Sequence, residues 1–258
     1  RSVSVNYRSH ERGIFSKGKS VEAVSNVSLD IRKGERLGLV GESGCGKSTL
    51  TRTILGLQSA SSGYIKFDGK EVSKYDNNFK KNIQVVFQDP YGSFNPRQKI
   101  GRLITEPFFT LGREAPPETE QKIIAQKMLK EVGLSSESIE KYIHEFSGGQ
   151  RQRIAIARAL VIKPKLIIFD EAVSALDVSI RSQILKLISD LTERYGLSYL
   201  FISHDLTVIE NITENCLVMK NGKIVERGQT KHILRDPKNE YTLSLINAAP
   251  KFPNFLHA

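Results

Sequence analysis

The sequence predicts an α/β fold: a mostly parallel sheet as core, an antiparallel β subdomain towards the N-terminus, and a helical lobe inserted between the two halves of the core. Three observations predict it. Leu166-Ile-Ile-Phe169 is a continuous apolar run of the kind that a parallel sheet buries on both faces, and Leu197–Ser203 reads as another buried strand. Ser2–Tyr7 and Val27-Ser-Leu-Asp-Ile31 instead alternate apolar with polar residues, which suits strands with one wet face. From about Ile100 to Tyr142 both strand patterns give way to helical composition.

In chain order, Ser2–Tyr7 is an edge strand and Arg8–Ser20 a polar, glycine-containing loop or hairpin. Val27–Ile31 and Gly63–Phe67 are further strands, the second closed by the Asp68-Gly69 turn. Between them Arg36–Val40 reads as a buried strand running into Gly41-Glu-Ser-Gly-Cys-Gly-Lys-Ser-Thr49, with Leu50–Leu57 as the helix that leaves it. Gly41, Gly46, Lys47 and Ser48 satisfy the phosphate-loop spacing G-x-x-x-x-G-K-S/T. Glycines at 41, 44 and 46 let the backbone turn its N–H groups inward as an anion nest. The helix beginning near Lys47 adds the positive end of its dipole, Lys47 brings a cation to the outer phosphates, and the Ser48 hydroxyl can ligate Mg²⁺.

Asn82–Gln88 is a strand that ends on a polar residue, followed by the turn formers of Asp89-Pro-Tyr-Gly-Ser-Phe-Asn-Pro96. Glu120–Val132 is the clearest amphipathic helix, and Pro116-Pro117 is placed to start it. Ser147-Gly-Gly-Gln150 opens another helix that reaches Val161 and stops at Lys163-Pro164. The Leu166–Phe169 strand ends in Asp170-Glu171, Ile180–Arg194 is an amphipathic helix, and the Leu197–Ser203 strand ends at His204. A hairpin follows around Asn221-Gly222, then a helical tail over Thr230–Leu245. The expected division is therefore 1–88 for the β subdomain with the phosphate-loop part of the core, 89–147 for the helical lobe, 148–236 for the rest of the core and 237–258 for a tail.

Composition narrows the classes. With 258 residues and 39% hydrophobic content the chain can bury a large core. No apolar run approaches the roughly 18 residues of a membrane span, and no secretory signal is visible. Cys45 and Cys216 are the only cysteines, which argues against a disulfide framework or a cysteine-held metal and for a reducing compartment. The net charge of +10 comes without a Lys/Arg run interleaved with aromatics, so a face near anionic lipid suits it better than nucleic acid. Residue 1 is Arg, as in a processed chain, a piece of a longer one or half of a fused pair.

Strands of an open α/β sheet present ligands at their carboxyl ends, so the phosphate loop, Gln88, Asp170-Glu171 and His204 converge on one nucleotide. Asp170 suits a Mg²⁺-shell carboxylate, and Glu171, expected on the opposite strand face, can orient an attacking water. Gln88 can orient water or touch Mg²⁺, and His204 can hydrogen-bond the γ-phosphate and hold Glu171 with the water. Ser147-Gly148-Gly149-Gln150 is a second phosphate nest, more than one subunit needs for one nucleotide; the economical reading is that it closes over a nucleotide held by a partner.

These residues together resemble an ABC transporter ATPase subunit over nearly the whole chain. Gly41–Ser48 matches the Walker A loop, Gln88 the Q-loop, Phe146–Gln150 the family signature, Leu166–Glu171 Walker B with its catalytic glutamate, Ser174–Asp177 the D-loop and His204 the switch histidine. The resemblance implies an ATP- and Mg²⁺-dependent ATPase that pairs head to tail with a second ATPase subunit or half, Ser147 and Gly149 meeting the γ-phosphate across the interface. Nucleotide contacts are carried over to Gly41, Glu42, Ser43, Gly44, Cys45, Gly46, Lys47, Ser48 and Thr49, catalysis to Glu171, His204, Gln88 and Lys47, metal to Ser48, Gln88 and Asp170, and the D-loop acid to Asp177. Phe87–Arg97 and the Pro237–Thr242 tail resemble dipeptide, oligopeptide and nickel importers. That implies permease subunits gripped near Tyr91, Phe94 and Pro96, a substrate-binding protein further out, and a peripheral place on the cytoplasmic face of the membrane. Peptide is the expected cargo, with nickel or another small solute as the alternative, and a non-transport ABC ATPase as the other class. Phe15 is spaced better than Tyr7 to stack on adenine, no iron–sulfur centre is expected, and Ala172-Val173 replaces the usual Pro-Thr, freeing a φ angle beside Glu171.

Overall fold

The computed structural model describes residues 1–8, 20–72 and 75–248. At the N-terminus β1 (Val3–Arg8) pairs antiparallel with β2 (Ser20–Val27). The strand expected over Val27–Ile31 does not form: β2 bulges at Asn26, at a left-handed φ of 50°, and its ladder with β1 stops at Val27. Leu29 and Ile31 still pack half-buried on the core, so the alternation read from the sequence marks a face laid on other residues rather than a ladder.

The core strand β3 (Arg36–Val40) enters the phosphate loop and α1 (Lys47–Ile54) leaves it. The strand expected over Gly63–Phe67 shrinks to β4 (Lys66–Phe67), paired with β5 (Lys70–Glu71) around Asp68 and Gly69, both at positive φ. Upstream of it Gly63 turns at φ 86° and Tyr64 exchanges backbone hydrogen bonds with Arg1 instead. A helix absent from the sequence reading, α2 (Asn77–Asn82), is started by the Asp76 carboxylate accepting the Phe79 N–H.

The core resumes with β6 (Ile83–Phe87). The lobe that follows holds α3 (Ile100–Thr105), a 3₁₀ run over Glu106–Glu114 and α4 (Glu118–Glu131). Then come α5 (Gly148–Leu160), β7 (Leu166–Asp170), α6 (Val178–Tyr195), β8 (Ser198–Ser203) and α7 (Leu206–Ile212). The described residues continue with β9 (Asn215–Lys220), β10 (Lys223–Gln229), α8 (Thr230–Arg235) and α9 (Glu240–Ala248). The expected tail helix is thus two helices, split at Asp236-Pro237, where proline cannot donate to the preceding turn.

Six strands form one sheet in the order β10-β9-β3-β8-β7-β6. All neighbouring pairs are parallel except β10 with β9. Side chains alternate across it, so Ile167 and Phe169 join the core beneath α5 and α6 while Ile168 joins the core beneath β1, β2 and α1. Every residue of β8 is buried, and each large apolar side chain removed from water contributes about 1.5–3 kcal/mol. Ile100, Leu103, Leu129 and Ile143 of the lobe belong to the same apolar cluster as α5 and α6. The parallel order places the carboxyl ends of β3, β8, β7 and β6 side by side along one edge of the sheet. Among the described residues no helix is long and apolar enough to cross a membrane.

Candidate functional site

That edge carries, in spatial order, the phosphate loop after β3, His204 after β8, Asp170 and Glu171 at the end of β7, and Gln88 after β6. The loop's glycines serve different ends. Gly46 has φ 112° and a Cβ there would meet the Ala23 carbonyl at 2.4 Å, while a Cβ on Gly41 would meet the Met219 carbonyl at 2.2 Å. Gly44, at φ 81°, faces open space and is needed only for the turn. Ser43, Gly44 and Ser48 are exposed, Thr49 half-buried and Cys45 buried, its thiol pKa pushed up by burial. Lys47 is buried, and its ammonium donates to the carbonyls of Gly41 (2.7 Å) and Glu42 (2.9 Å).

Glu171 is the junction of the site. Its carboxylate lies 3.9 Å from Lys47 Nζ and 3.3 Å from His204 Nδ1. The sequence reading separated Asp170 from Glu171 by strand alternation, but β7 ends at Asp170 and Glu171 turns away through a left-handed φ of 51°. A non-glycine residue held there costs of order 1 kcal/mol or more, and the surroundings over-determine it. Its N–H donates to the Ile202 carbonyl (3.0 Å), and its own carbonyl accepts from the Ser174 hydroxyl (2.9 Å). Ala172 and Val173 are both 2% exposed, so packing fixes the segment where the missing proline was expected to free it.

Asp170 is buried and its Oδ1 has no hydrogen-bond partner. Burial, then the neighbouring Glu171 charge, push its carboxyl from 3.8 up to about 6. A buried, orphaned carboxylate oxygen beside the phosphate loop and the exposed Ser48 hydroxyl is the donor set that a hard cation such as Mg²⁺ takes. A carboxyl raised in the fold holds a proton that the unfolded chain has released, so without metal its contribution to stability falls as pH rises from about 4 to about 6. The expected result is a Mg²⁺-induced rise in melting temperature that is large at pH 7 and small at pH 5, read by thermal melts in the presence of ADP. Equal rises at both pH values would remove Asp170 from the metal site.

Ser147 caps α5 and forms a reciprocal box with Gln150: the Ser147 N–H donates to Gln150 Oε1 (3.0 Å) and the Gln150 N–H to Ser147 Oγ (3.4 Å). Ser147, Gly148 and Gln150 are exposed, and a Cβ on Gly148 would touch only Leu176 Cδ2, at 3.9 Å, whereas one on Gly149 would meet Ile180 Cγ2 at 2.5 Å. Asp177 is exposed and caps α6 through the Ile180 N–H (3.0 Å). Arg181 of that helix pairs with Asp205 (2.9 Å) and donates to the Leu176 carbonyl (3.3 Å), tying the segment before α6 to the residue after His204. No spacing in the sequence announces that tie.

One expectation changes, and one lies outside the described residues. The latter is Phe15; a described aromatic beside the loop is Tyr7, whose hydroxyl is 3.4 Å from Thr49 Oγ1. Phe94 is not a surface contact: it is 5% exposed, with the Arg158 guanidinium 4.3 Å from its ring centre and held by Ser93. Tyr91 and Pro96 remain exposed, Tyr91 beneath Arg151 at 4.8 Å. Gln88 is exposed, one residue beyond the Phe87–Asp170 register pair.

The ABC transporter family model matches residues 24–174. The dipeptide transport ATP-binding protein DppF of Haemophilus influenzae is 44% identical over 249 residues, 95% of this chain and 76% of that one. The oligopeptide transport ATP-binding protein OppF of Escherichia coli is 47% identical over 236 residues, 90% of this chain and 70% of that one. An ATP-binding cassette solved as a dimer in a post-hydrolysis state with ADP and Pi superimposes with a TM-score of 0.77 at 27% identity, covering 89% of this chain and 97% of that one. With phosphate loop, orphaned aspartate and Glu171–His204 pair on one sheet edge, the chain belongs to the ABC transporter family and is an ATPase of it, taking ATP with Mg²⁺.

Proposed function

We propose that this chain is the ATP-hydrolysing subunit of an importer of di- or oligopeptides, bound peripherally to the cytoplasmic face of the membrane through permease subunits. The observation that carries the catalytic part is Glu171 held between Lys47 and His204. The curated relatives named for dipeptide and oligopeptide transport support the cargo. Residues 1–88, 148–236 and the 237–258 tail form the cassette and 89–147 the lobe that faces the permease, with Tyr91 and Pro96 as the contacts left exposed there.

In this reading the loop's N–H groups and Lys47 cradle the phosphates, and Tyr7 lies on the loop's Thr49 side, towards the adenosine end. Ser48, Asp170 and Gln88 would hold Mg²⁺, which would supply positive charge against the phosphates. Glu171 accepts a proton from the attacking water, and His204 holds that carboxylate in place through Nδ1. Ser147, Gly148 and Gly149 at the N-terminus of α5 receive the γ-phosphate bound by a second such fold, and Asp177 lines the same seam.

The test is purification of the tagged chain from its own membranes in mild detergent. Two integral membrane subunits should accompany it, and peptide with a binding protein should stimulate phosphate release. Release that answers to nickel and not to peptide would reassign the cargo; soluble, unaccompanied chain would remove the transport role.

A further inference from the structure

Tyr241 stands near the start of α9, outside every nucleotide-site motif used above, and it is 7% exposed. Its hydroxyl accepts the N–H of Glu42, the second residue of the phosphate loop, at 3.1 Å. The same peptide unit is held at its other end, because the Gly41 carbonyl accepts from Lys47 Nζ at 2.7 Å. A peptide unit is planar, so turning it would break both bonds at once.

The tyrosine is itself anchored. The Glu226 carboxylate of β10 accepts the N–H groups of Lys238 (2.8 Å) and Asn239 (3.3 Å), and Asn239 Oδ1 accepts the Tyr241 N–H (2.9 Å). Lys220 Nζ, at the end of β9, lies 4.5 Å from the centre of the Tyr241 ring. The β9–β10 turn grips the loop as well, the Gly222 N–H donating to the Cys45 carbonyl at 2.8 Å.

We propose that Tyr241 is a positioning residue for nucleotide binding: its hydroxyl fixes the Gly41–Glu42 peptide, so α9 sets the geometry from which Lys47 meets phosphate. The inference rests on the ATP-binding reading of the loop. Tyr241→Phe keeps the ring, its packing and the Lys220 contact, and removes only the acceptor, leaving the Glu42 N–H unpaired.

The expected result is an ATP Kd and KM raised about three- to tenfold, the range of one net hydrogen bond, with kcat at saturation held within about twofold. Hydrogen–deuterium exchange across residues 41–46 should quicken, while the melting temperature moves by only a few degrees. A packing role alone would lower the melting temperature and leave loop exchange and Kd untouched. Wild-type affinity in Tyr241→Phe, or a fall in kcat with Kd unchanged, overturns the proposal; a wild-type chain that binds no ATP overturns the reading of the loop together with it.

Discussion

Glu171→Gln is expected to bind ATP about as tightly as the wild-type chain and to hydrolyse it at least about 100-fold more slowly, the range of a lost general base. The substitution preserves shape. The backbone bonds that hold residue 171 at φ 51°, from its N–H to Ile202 and from Ser174 to its carbonyl, do not involve the carboxylate. What changes is the ability to take a proton and the charge 3.9 Å from Lys47. Lys47 keeps both of its carbonyl partners, so the cradle that binds phosphate remains. A variant that binds but cannot turn over should also collect in the paired, nucleotide-closed form, visible by size-exclusion chromatography with ATP. Phosphate release within a few-fold of wild type would show that another group activates the water. His204→Ala provides the partner measurement: it removes the 3.3 Å contact that orients Glu171 and should slow turnover without matching the Glu171→Gln loss.

What could be read in the sequence was whatever sits at a strand end. The phosphate loop, Gln88, Asp170 and His204 each follow a strand whose apolar run is plain, and parallel register then brings them to one edge. Features set by contacts between distant residues left no pattern. The Tyr241–Glu42 bond joins positions 199 apart, and Arg181–Asp205 joins two helices' ends without a spacing rule. Phe94 sits among turn formers and reads as exposed, yet Arg158, reaching from α5, covers its ring. Val27–Ile31 has the period of a strand, but the ladder with β1 stops at Val27, and Leu29 and Ile31 are laid on the core instead. Local chemistry also redirects Glu171, which leaves the strand one residue before alternation could place it.

Gly148→Asp should abolish turnover while leaving the fold and the binding of nucleotide by the isolated subunit intact. The added Cβ would make only an ordinary contact, with Leu176 Cδ2 at 3.9 Å, so the core does not move. The new carboxylate would stand at the N-terminus of α5, where Ser147 offers its hydroxyl and Gly148 its N–H to an anion, and would repel phosphate by the same electrostatics that attract it. Lys47→Ala should be equally inactive for the opposite reason, since it removes the cation of the cradle. Mixing the two separates an in-trans site from an in-cis one. In a mixed pair, the Gly148→Asp subunit supplies an intact cradle and the Lys47→Ala subunit an intact nest, so one of the two composite sites is whole. Random pairing of equal amounts makes about half of the pairs mixed, each with one working site, so turnover should recover to about a quarter of that of the wild-type chain measured alone. If each site were built within one subunit, every subunit in the mixture would carry a defect in its own site, and mixing would recover nothing.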